Sequence, residues 1–584
     1  MCGIFVLINK KNNPIDLARC KRATARLKWR GPDQSSNFTH NDTVFFGQTI
    51  LSITGNISNR EGDHLVSKSK RYLITYNGEI YNFNKILSRY LTNVLNGSRK
   101  EISDTEILVN LHEVLRADKI PHLLDGMYSY VSYDSHTNKI YISRDIQGEK
   151  SLFYYEDDSQ IIICSQIDAI VEFVPNLSID KNTIRDYFHT RHLMSNHRTT
   201  YSDISQIKPG EFVQIDLNTM HKKSTYSSIT DWIDSDKIID NESKTLDDLE
   251  KEFDSIFSSC IKSMLPDTKY ASVLSGGVDS SLVSAYCLKY GNPDAFVAIN
   301  HIGKDEISNN LSVFEDVLNI NIDVIDVRPE LYASEIKRAQ NIIGGPLFSH
   351  SFIGQSIQSA YVNNKGCKVL MGGEGADELF GGYNCYLDTK SDNYEYSPSL
   401  YTKYLNNEIE FKDYDSLPLK NELSDFWKTS LESYSSIKDK NDQKSLSMML
   451  CDFMLQVPSV GLRGADLMSM MWGVETRSVF MRKDLIKFAL NLPIHAKINP
   501  TANDLNIRTK VLLKKSFLNH FPKKLLVSKQ GFAGFPNESI KYLGDVRDFI
   551  ALDFLDFNKN SIDFNNINRD IMWKLINVEY FLRK

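Results

Sequence analysis

The residues from Tyr270 to Gly291 restrict the fold more than any other stretch. Tyr270-Ala271-Ser272-Val273-Leu274 is short, apolar and bounded like a buried strand. Ser275-Gly276-Gly277-Val278-Asp279-Ser280-Ser281 is a glycine turn. Leu282, Tyr286 and Tyr290 then recur at helical spacing, with Gly291 where a C-terminal cap belongs. Strand, glycine turn and helix start, in that order, aim backbone N–H groups and the positive helix end at one spot, which suits a phosphate. The glycines allow close backbone approach and the serines add hydroxyl donors. No lysine follows the glycines, so this is not the G-x-x-x-x-G-K-[ST] loop. Asp279 offers instead a hard oxygen ligand for Mg²⁺.

The alternation continues with strand 295–300, helix 307–318, strand 322–327, helix 331–343, a helix near 352–362 and strand 367–371. Such a series predicts a parallel sheet with right-handed crossovers, whose ligands gather outside the carboxyl ends of the strands. A helix starting after Thr245, with Thr245 and Asp248 as a capping pair, precedes it; Leu249, Phe253, Phe257 and Ile261 form its apolar face. A second strand end carries Gly372-Gly373-Glu374-Gly375-Ala376-Asp377-Glu378-Leu379-Phe380-Gly381-Gly382-Tyr383.

The first loop resembles the SGGxDS pyrophosphate loop of ATP pyrophosphatases, and the second resembles the SGEGxDExxGGY signature of asparagine synthetases, with Gly372 in place of the usual first serine. The resemblance implies a C-terminal parallel α/β domain of the adenine nucleotide α-hydrolase type. ATP would lie against Leu274, Ser275, Gly276, Gly277, Asp279, Ser280, Ser281, Gly372 and Gly373. Mg²⁺ would be shared by Asp279 and Asp377. Glu374 matches the carboxylate that accepts a proton as ammonia attacks. Lys510, in Thr509-Lys510-Val511-Leu512-Leu513, matches the lysine that neutralises leaving pyrophosphate. Leu462-Arg463-Gly464-Ala465-Asp466 and Val474-Glu475-Thr476-Arg477 resemble elements that close the site and line the path between two centres. The family continues with Pro-Phe-Leu-Asp where this chain has Val479-Phe480-Met481-Arg482. Ser528-Lys529-Gln530-Gly531-Phe532 and Met572-Trp573-Lys574-Leu575-Ile576 resemble the family's C-terminal parts. The polar, Tyr-rich stretch 385–445 reads as helical pieces over the sheet.

At the other end, Met1 removal would expose Cys2, whose α-amine can act as base for its own thiol. Arg30-Gly31-Pro32-Asp33, Asn77-Gly78-Glu79-Ile80-Tyr81-Asn82 and Ser103-Asp104-Thr105-Glu106 follow at spacings that resemble class II glutamine amidotransferases. That resemblance implies an N-terminal-nucleophile hydrolase fold, a four-layer αββα sandwich. It makes Cys2 the nucleophile, and Asn77 and the Gly78 N–H the oxyanion donors. Asp104, with Glu79 beside it, would bind glutamine. Asn-Gly is also a strong hairpin signal, and one turn can serve both purposes. Ile50 stands where the family has the arginine that clamps the glutamine α-carboxylate; either Arg60 substitutes or free ammonia is the practical donor. Stretches 126–134, 141–145 and 151–155 read as later strands, with Arg144-Asp145 a structural ion pair.

The expected division is a glutamine amidotransferase domain at 1–215, a linker at 216–244 and a synthetase domain at 245–584. The expected activity is ATP-dependent asparagine synthesis from aspartate, with glutamine or ammonia as nitrogen donor, through an acyl-AMP. ATP and Mg²⁺ are the expected cofactors, small molecules the expected partners, and a homodimer is left open. Another acceptor acid, such as a sugar uronate or natural-product acid, is the main rival: Ser349-His350-Ser351 stands where Asp-Pro-Ser can mark the acceptor pocket. A non-catalytic relic and a free-standing glutaminase are further rivals. Over 584 residues the composition is that of a globular protein, 41% hydrophobic and 24% charged. A net charge of −6 argues against nucleic acid. The 8 cysteines lack C-x-x-C spacing, so neither zinc nor a disulfide framework is expected. No apolar run long enough for a membrane span stands out, and the expected compartment is cytoplasmic.

Overall fold

The computed structural model describes residues 2–10, 14–53, 65–95, 102–190, 195–301, 305–347, 349–387, 417–526, 548–557 and 569–583. Arg60, Ser528–Phe532 and much of the Tyr-rich stretch therefore lie outside the described residues. The protein is an α/β multidomain chain.

Among the described residues, eleven strands build the N-terminal half: β1 (Cys2–Asn9), β2 (Gln34–His40), β3 (Val44–Ile50), β4 (Tyr72–Ile80), β5 (Gly126–Asp134), β6 (Lys139–Arg144), β7 (Phe153–Glu156), β8 (Gln160–Cys164), β9 (Ile204–Gln206), β10 (Glu211–Asp216) and β11 (His221–Tyr226). They form two sheets, in the orders β2-β3-β1-β8-β7-β9 and β11-β10-β6-β5-β4. Strand β1 explains the stacking. Ile4, Val6 and Ile8 pack with Val131, Ile140, Ile142 and Val213 of the other sheet. Phe5 and Leu7, on the opposite face, pack against Cys20, Ala23 and Leu27 and the helix Ile167–Phe173. Ile74 and Tyr130 meet a second helical layer that includes Ile107 and Leu111. The result is helix, sheet, sheet, helix, as the resemblance implied. A strand buried on both faces reads as a continuous apolar run, and Gly3-Ile4-Phe5-Val6-Leu7-Ile8 is one.

The stretch expected as a linker, 216–244, contains β11, which pairs antiparallel with β10 and extends the second sheet to Tyr226. All six residues of β11 are exposed, so no apolar alternation marks it. The helix Ser235–Glu242 follows, capped by Asp234.

In the C-terminal half, β12 (Tyr270–Val273), β13 (Ala295–His301), β14 (Ile322–Val327), β15 (Val369–Gly372) and β16 (Glu475–Ser478) form one sheet, in the order β14-β13-β12-β15-β16. Every pairing in it is parallel. Helices cover both faces. Phe296 and Ala298 pack with the helix Leu246–Met264, whose cap is Thr245, and Val297 and Ile299 pack with Phe352, Ile353 and the C-terminal Trp573. Strand order reverses between β12 and β15, and the crevice at such a switch point is where these sheets bind ligands. The helical run Lys440–Met470 contains an apolar window long enough to cross a membrane, but 83% of that window is buried inside the protein.

Candidate active sites

Both glycine loops emerge at the switch point. Leu274 is fully buried and its N–H donates to the Val297 carbonyl at 2.9 Å, which fixes the exit of β12. Ser275 and Gly277 turn outward. Gly276 has φ +81°, a conformation that favours glycine. The Ser280 hydroxyl ties the turn together: it accepts from the Ser275 N–H at 3.1 Å and donates to the Gly277 carbonyl at 3.2 Å. Ser281 points inward, fully buried. The second loop leans on the first, since a Cβ on Gly373 would stand 3.2 Å from the Cβ of Asp279.

Lys510 joins the two loops. Its ammonium lies 2.5 Å from Asp279 Oδ2 and 2.6 Å from Asp377 Oδ1. Burial alone would lower its pKa; the two carboxylates outweigh that and raise it. The backbone of Lys510 sits in the left-handed region at φ +51°, just before the helix Val511–Leu518. A lysine there carries strain of order 1–2 kcal/mol, held in place by its surroundings. Two acids converging on one cation are also the oxygen donor set that suits Mg²⁺, so these residues fit that ion.

Two further lysines escaped the sequence reading. Lys514 donates to Thr509 Oγ1 at 2.9 Å, and burial beside Lys510 pulls its pKa down to about 8. Lys497 is 1% exposed and donates to the Leu379 carbonyl at 2.8 Å, at the end of the short helix carrying Asp377. Burial pulls its pKa down to about 7. Spacing from the loops could have flagged Lys514; nothing local marks Lys497. Glu374 keeps part of its surface open, but its carboxylate is enclosed and accepts from Ser478 Oγ at 2.9 Å. Burial raises its pKa, against the pull of that donor.

The second site surrounds Cys2. The Cys2 N–H donates to Asn77 Oδ1 at 3.0 Å, and Asn77 Nδ2 is a buried donor with no partner among the described residues. Gly78 runs against the neighbouring strand so closely that a Cβ would fall 2.1 Å from the Met127 carbonyl oxygen. Asp104 Oδ2 accepts from the Ile80 N–H at 2.7 Å, at the start of a helix capped by Ser103 and Glu106. The hydroxyl of Tyr76 is buried with no partner among the described residues, and burial together with the fields of Asp104, Glu79 and Cys2 pushes its pKa well up. Ile50 lies opposite Cys2 in the β1–β3 ladder, buried and apolar. Glu79 faces the other half of the chain, 3.3 Å from Arg477.

The halves are closely joined. Arg30 donates from Nε to the Cys2 carbonyl at 3.2 Å and pairs with Asp466 at 2.7 Å, and Lys150 reaches the same carboxylate at 3.0 Å. Burial alone would raise the Asp466 pKa; the two cations overcome it and hold the group below the usual range. Arg477 also pairs with Glu475, and Arg482 pairs with Asp125 and covers the ring of Tyr81. The segment Val479-Phe480-Met481-Arg482, which departs from the family pattern, thus forms part of the domain contact. The Gln147 side chain donates to the Met481 carbonyl at 2.9 Å. Arg144 donates to the Ile207 and Gly148 carbonyls, while Asp145 accepts from the N–H groups of Tyr128, Glu149 and Lys150, a structural arrangement.

Residues 1–227 match the model of the glutamine amidotransferase domain and residues 252–573 that of asparagine synthase. An asparagine synthetase [glutamine-hydrolyzing] 1 of Bacillus subtilis is 25% identical over 92% of this chain and 87% of its own length. Asparagine synthetase B of Escherichia coli is 25% identical over 66% and 65%. A putative asparagine synthetase of Methanocaldococcus jannaschii is 24% identical over 89% and 85%.

Proposed function

The chain belongs to the asparagine synthase family, and on that footing we propose that it is an ATP-dependent amide ligase with two centres. The observation that carries the proposal is the Lys510 bridge between Asp279 and Asp377, which brings both loops to one point at the switch of the sheet.

At that point ATP lies with its phosphates on the Ser275–Ser280 turn and the start of the helix Val278–Tyr290. Asp279 and Asp377 would hold Mg²⁺, which when bound neutralises phosphate charge. A substrate carboxylate oxygen attacks the α-phosphorus, and the bond to the β-phosphate breaks. The products are an acyl-AMP and pyrophosphate, and Lys510 and Lys514 offset the charge of the latter. Ammonia then attacks the acyl carbon, Glu374 accepts its proton, and AMP leaves.

At the other centre the Cys2 thiol gives its proton to the Cys2 α-amine and attacks the glutamine amide. The C–N bond breaks, ammonia leaves with that proton, and water then hydrolyses the thioester to glutamate and free Cys2. Asn77 Nδ2, which has no partner among the described residues, and the Gly78 N–H receive the developing oxyanion. Asp104 and Glu79 take the glutamine amine, with Glu79 already held by Arg477. Ammonia passes to Glu374 through the joint between the halves. Aspartate is the first acceptor to test. The stretch Ser349-His350-Ser351 keeps a different carboxylic acid as second reading: the Ser349 and Ser351 hydroxyls bond each other at 2.9 Å and the His350 carbonyl accepts from Tyr332.

The experiment is pyrophosphate release with ATP and a panel of carboxylic acids, followed by amide formation with glutamine and then with ammonium. Aspartate is expected to drive release; release by a uronate or other acid instead establishes the second reading. Amide from ammonium but not glutamine assigns the deficit to Ile50. No release with any acid overturns the proposal.

A further inference from the structure

Strands β15 and β16 run parallel with Gly372 directly opposite Ser478. Neighbours at one level of a parallel pair present their side chains to the same face of the sheet. The serine usual at the first signature position is glycine at 372 in this chain, and a hydroxyl stands one strand away, on Ser478. The vacated space is not empty of consequence. A Cβ at Gly372 would fall 2.3 Å from Glu374 Oε2 and 3.0 Å from its Cδ, so the carboxylate of Glu374 occupies the volume a side chain at 372 would need. That same oxygen, Oε2, accepts from Ser478 Oγ at 2.9 Å. Ser478 is itself 2% exposed and held in the sheet.

We propose that Ser478 is the positioning residue for the proton-accepting carboxylate Glu374, and that Gly372 and Ser478 act together: the glycine opens the seat and the cross-strand serine fixes the carboxylate in it. The inference rests on the role given above to Glu374. The hydroxyl donates to Oε2, which leaves Oε1 to accept a proton from attacking ammonia. One oxygen is anchored and the other works. Without the anchor the Glu374 side chain moves among its rotamers and the acyl carbon meets a misplaced acceptor.

The two half-reactions separate this from a merely structural role. Glu374 enters only after the acyl-AMP has formed, so loss of its anchor should spare ATP–pyrophosphate exchange, driven by whichever acid the wild-type protein uses, and slow amide formation from ammonium. Ser478→Ala is expected to keep exchange within about twofold and to lower the rate of amide formation roughly ten- to a hundredfold, the range for losing a hydrogen bond to a charged acceptor. Ser478→Thr, which keeps the hydroxyl, should restore most of it. Gly372→Ala places a methyl where the carboxylate lies and should also slow amide formation from ammonium, without touching Ser478. Should Glu374→Gln slow amide formation while Ser478→Ala and Gly372→Ala do not, the positioning role is overturned and the role of Glu374 stands. Should Glu374→Gln itself form amide at the wild-type rate, the reading beneath it falls as well. Equal loss of exchange and amide formation in Ser478→Ala, unrelieved by threonine, would make Ser478 a plain packing residue and end the proposal.

Discussion

Arg30 Nη2 and Asp466 meet across the two halves of the chain at 2.7 and 3.0 Å, and Nε of the same guanidinium donates to the carbonyl of Cys2. The carboxylate that holds this arginine is contributed by the synthetase half, so the backbone of the proposed nucleophile is steadied by the domain that uses its product. Asp466→Asn removes the carboxylate that pairs directly with two buried cations, Arg30 and Lys150. Removing one partner of such a buried cluster costs about 3–5 kcal/mol. The expected outcome is a lower urea midpoint together with reduced glutaminase activity; an unchanged midpoint would contradict it.

At the Cys2 centre, Asn77→Ala deletes a donor that has no other task visible among the described residues. Loss of one oxyanion donor typically lowers turnover by about 10²- to 10³-fold. Glutaminase activity should fall by that factor while amide formation from ammonium continues at its wild-type rate. Paired assays with the two nitrogen donors check this directly.

Lys510→Met removes the cation between Asp279 and Asp377 and leaves the two acids facing each other. Pyrophosphate exchange should drop by at least ~10²-fold, the scale of losing a preset charge partner of a leaving group. Hydrolysis of glutamine at Cys2 should persist. Loss of both activities would instead mean that the lysine holds the fold.

Lys497 gives a pH signature. Burial lowers its pKa to about 7 in the folded protein, below the usual lysine value, so between roughly pH 7 and 10.5 the unfolded chain binds a proton that the folded one does not. Stability therefore rises with pH through this window, and the penalty is complete below about pH 7. The upper bound is about 1.4 kcal/mol per pH unit. Urea midpoints of wild type and Lys497→Met at pH 7 and pH 9 should diverge: the wild type gains stability relative to the variant as pH rises. Parallel shifts would mean that Lys497 stays charged when folded.

What could be read from the sequence was local. Strand β12, its glycine turn and the following helix are contiguous, and each carries its own signal in periodicity and capping. Thr245 caps its helix as its spacing with Asp248 predicts. Strand β11 was invisible because His221-Lys222-Lys223-Ser224-Thr225-Tyr226 is exposed throughout and pairs only through its backbone. Glu79 was legible as a residue of the Asn-Gly-Glu turn, but its pairing with Arg477 was not, since the partners are far apart in sequence. The same holds for Ser478 and Glu374, and for Lys150 and Asp466. Ion pairs across folded halves leave no periodic trace; they are fixed by how the two halves pack.

Strand β16 and the turn after it touch both centres in quick succession: Arg477 reaches Glu79, Ser478 reaches Glu374, and Arg482 reaches Asp125. An inherited change in this short segment is thus judged by two chemistries at once. Drift there has to be concerted, and an exchange of either half with that of a relative would succeed only if these few side chains travelled along with it.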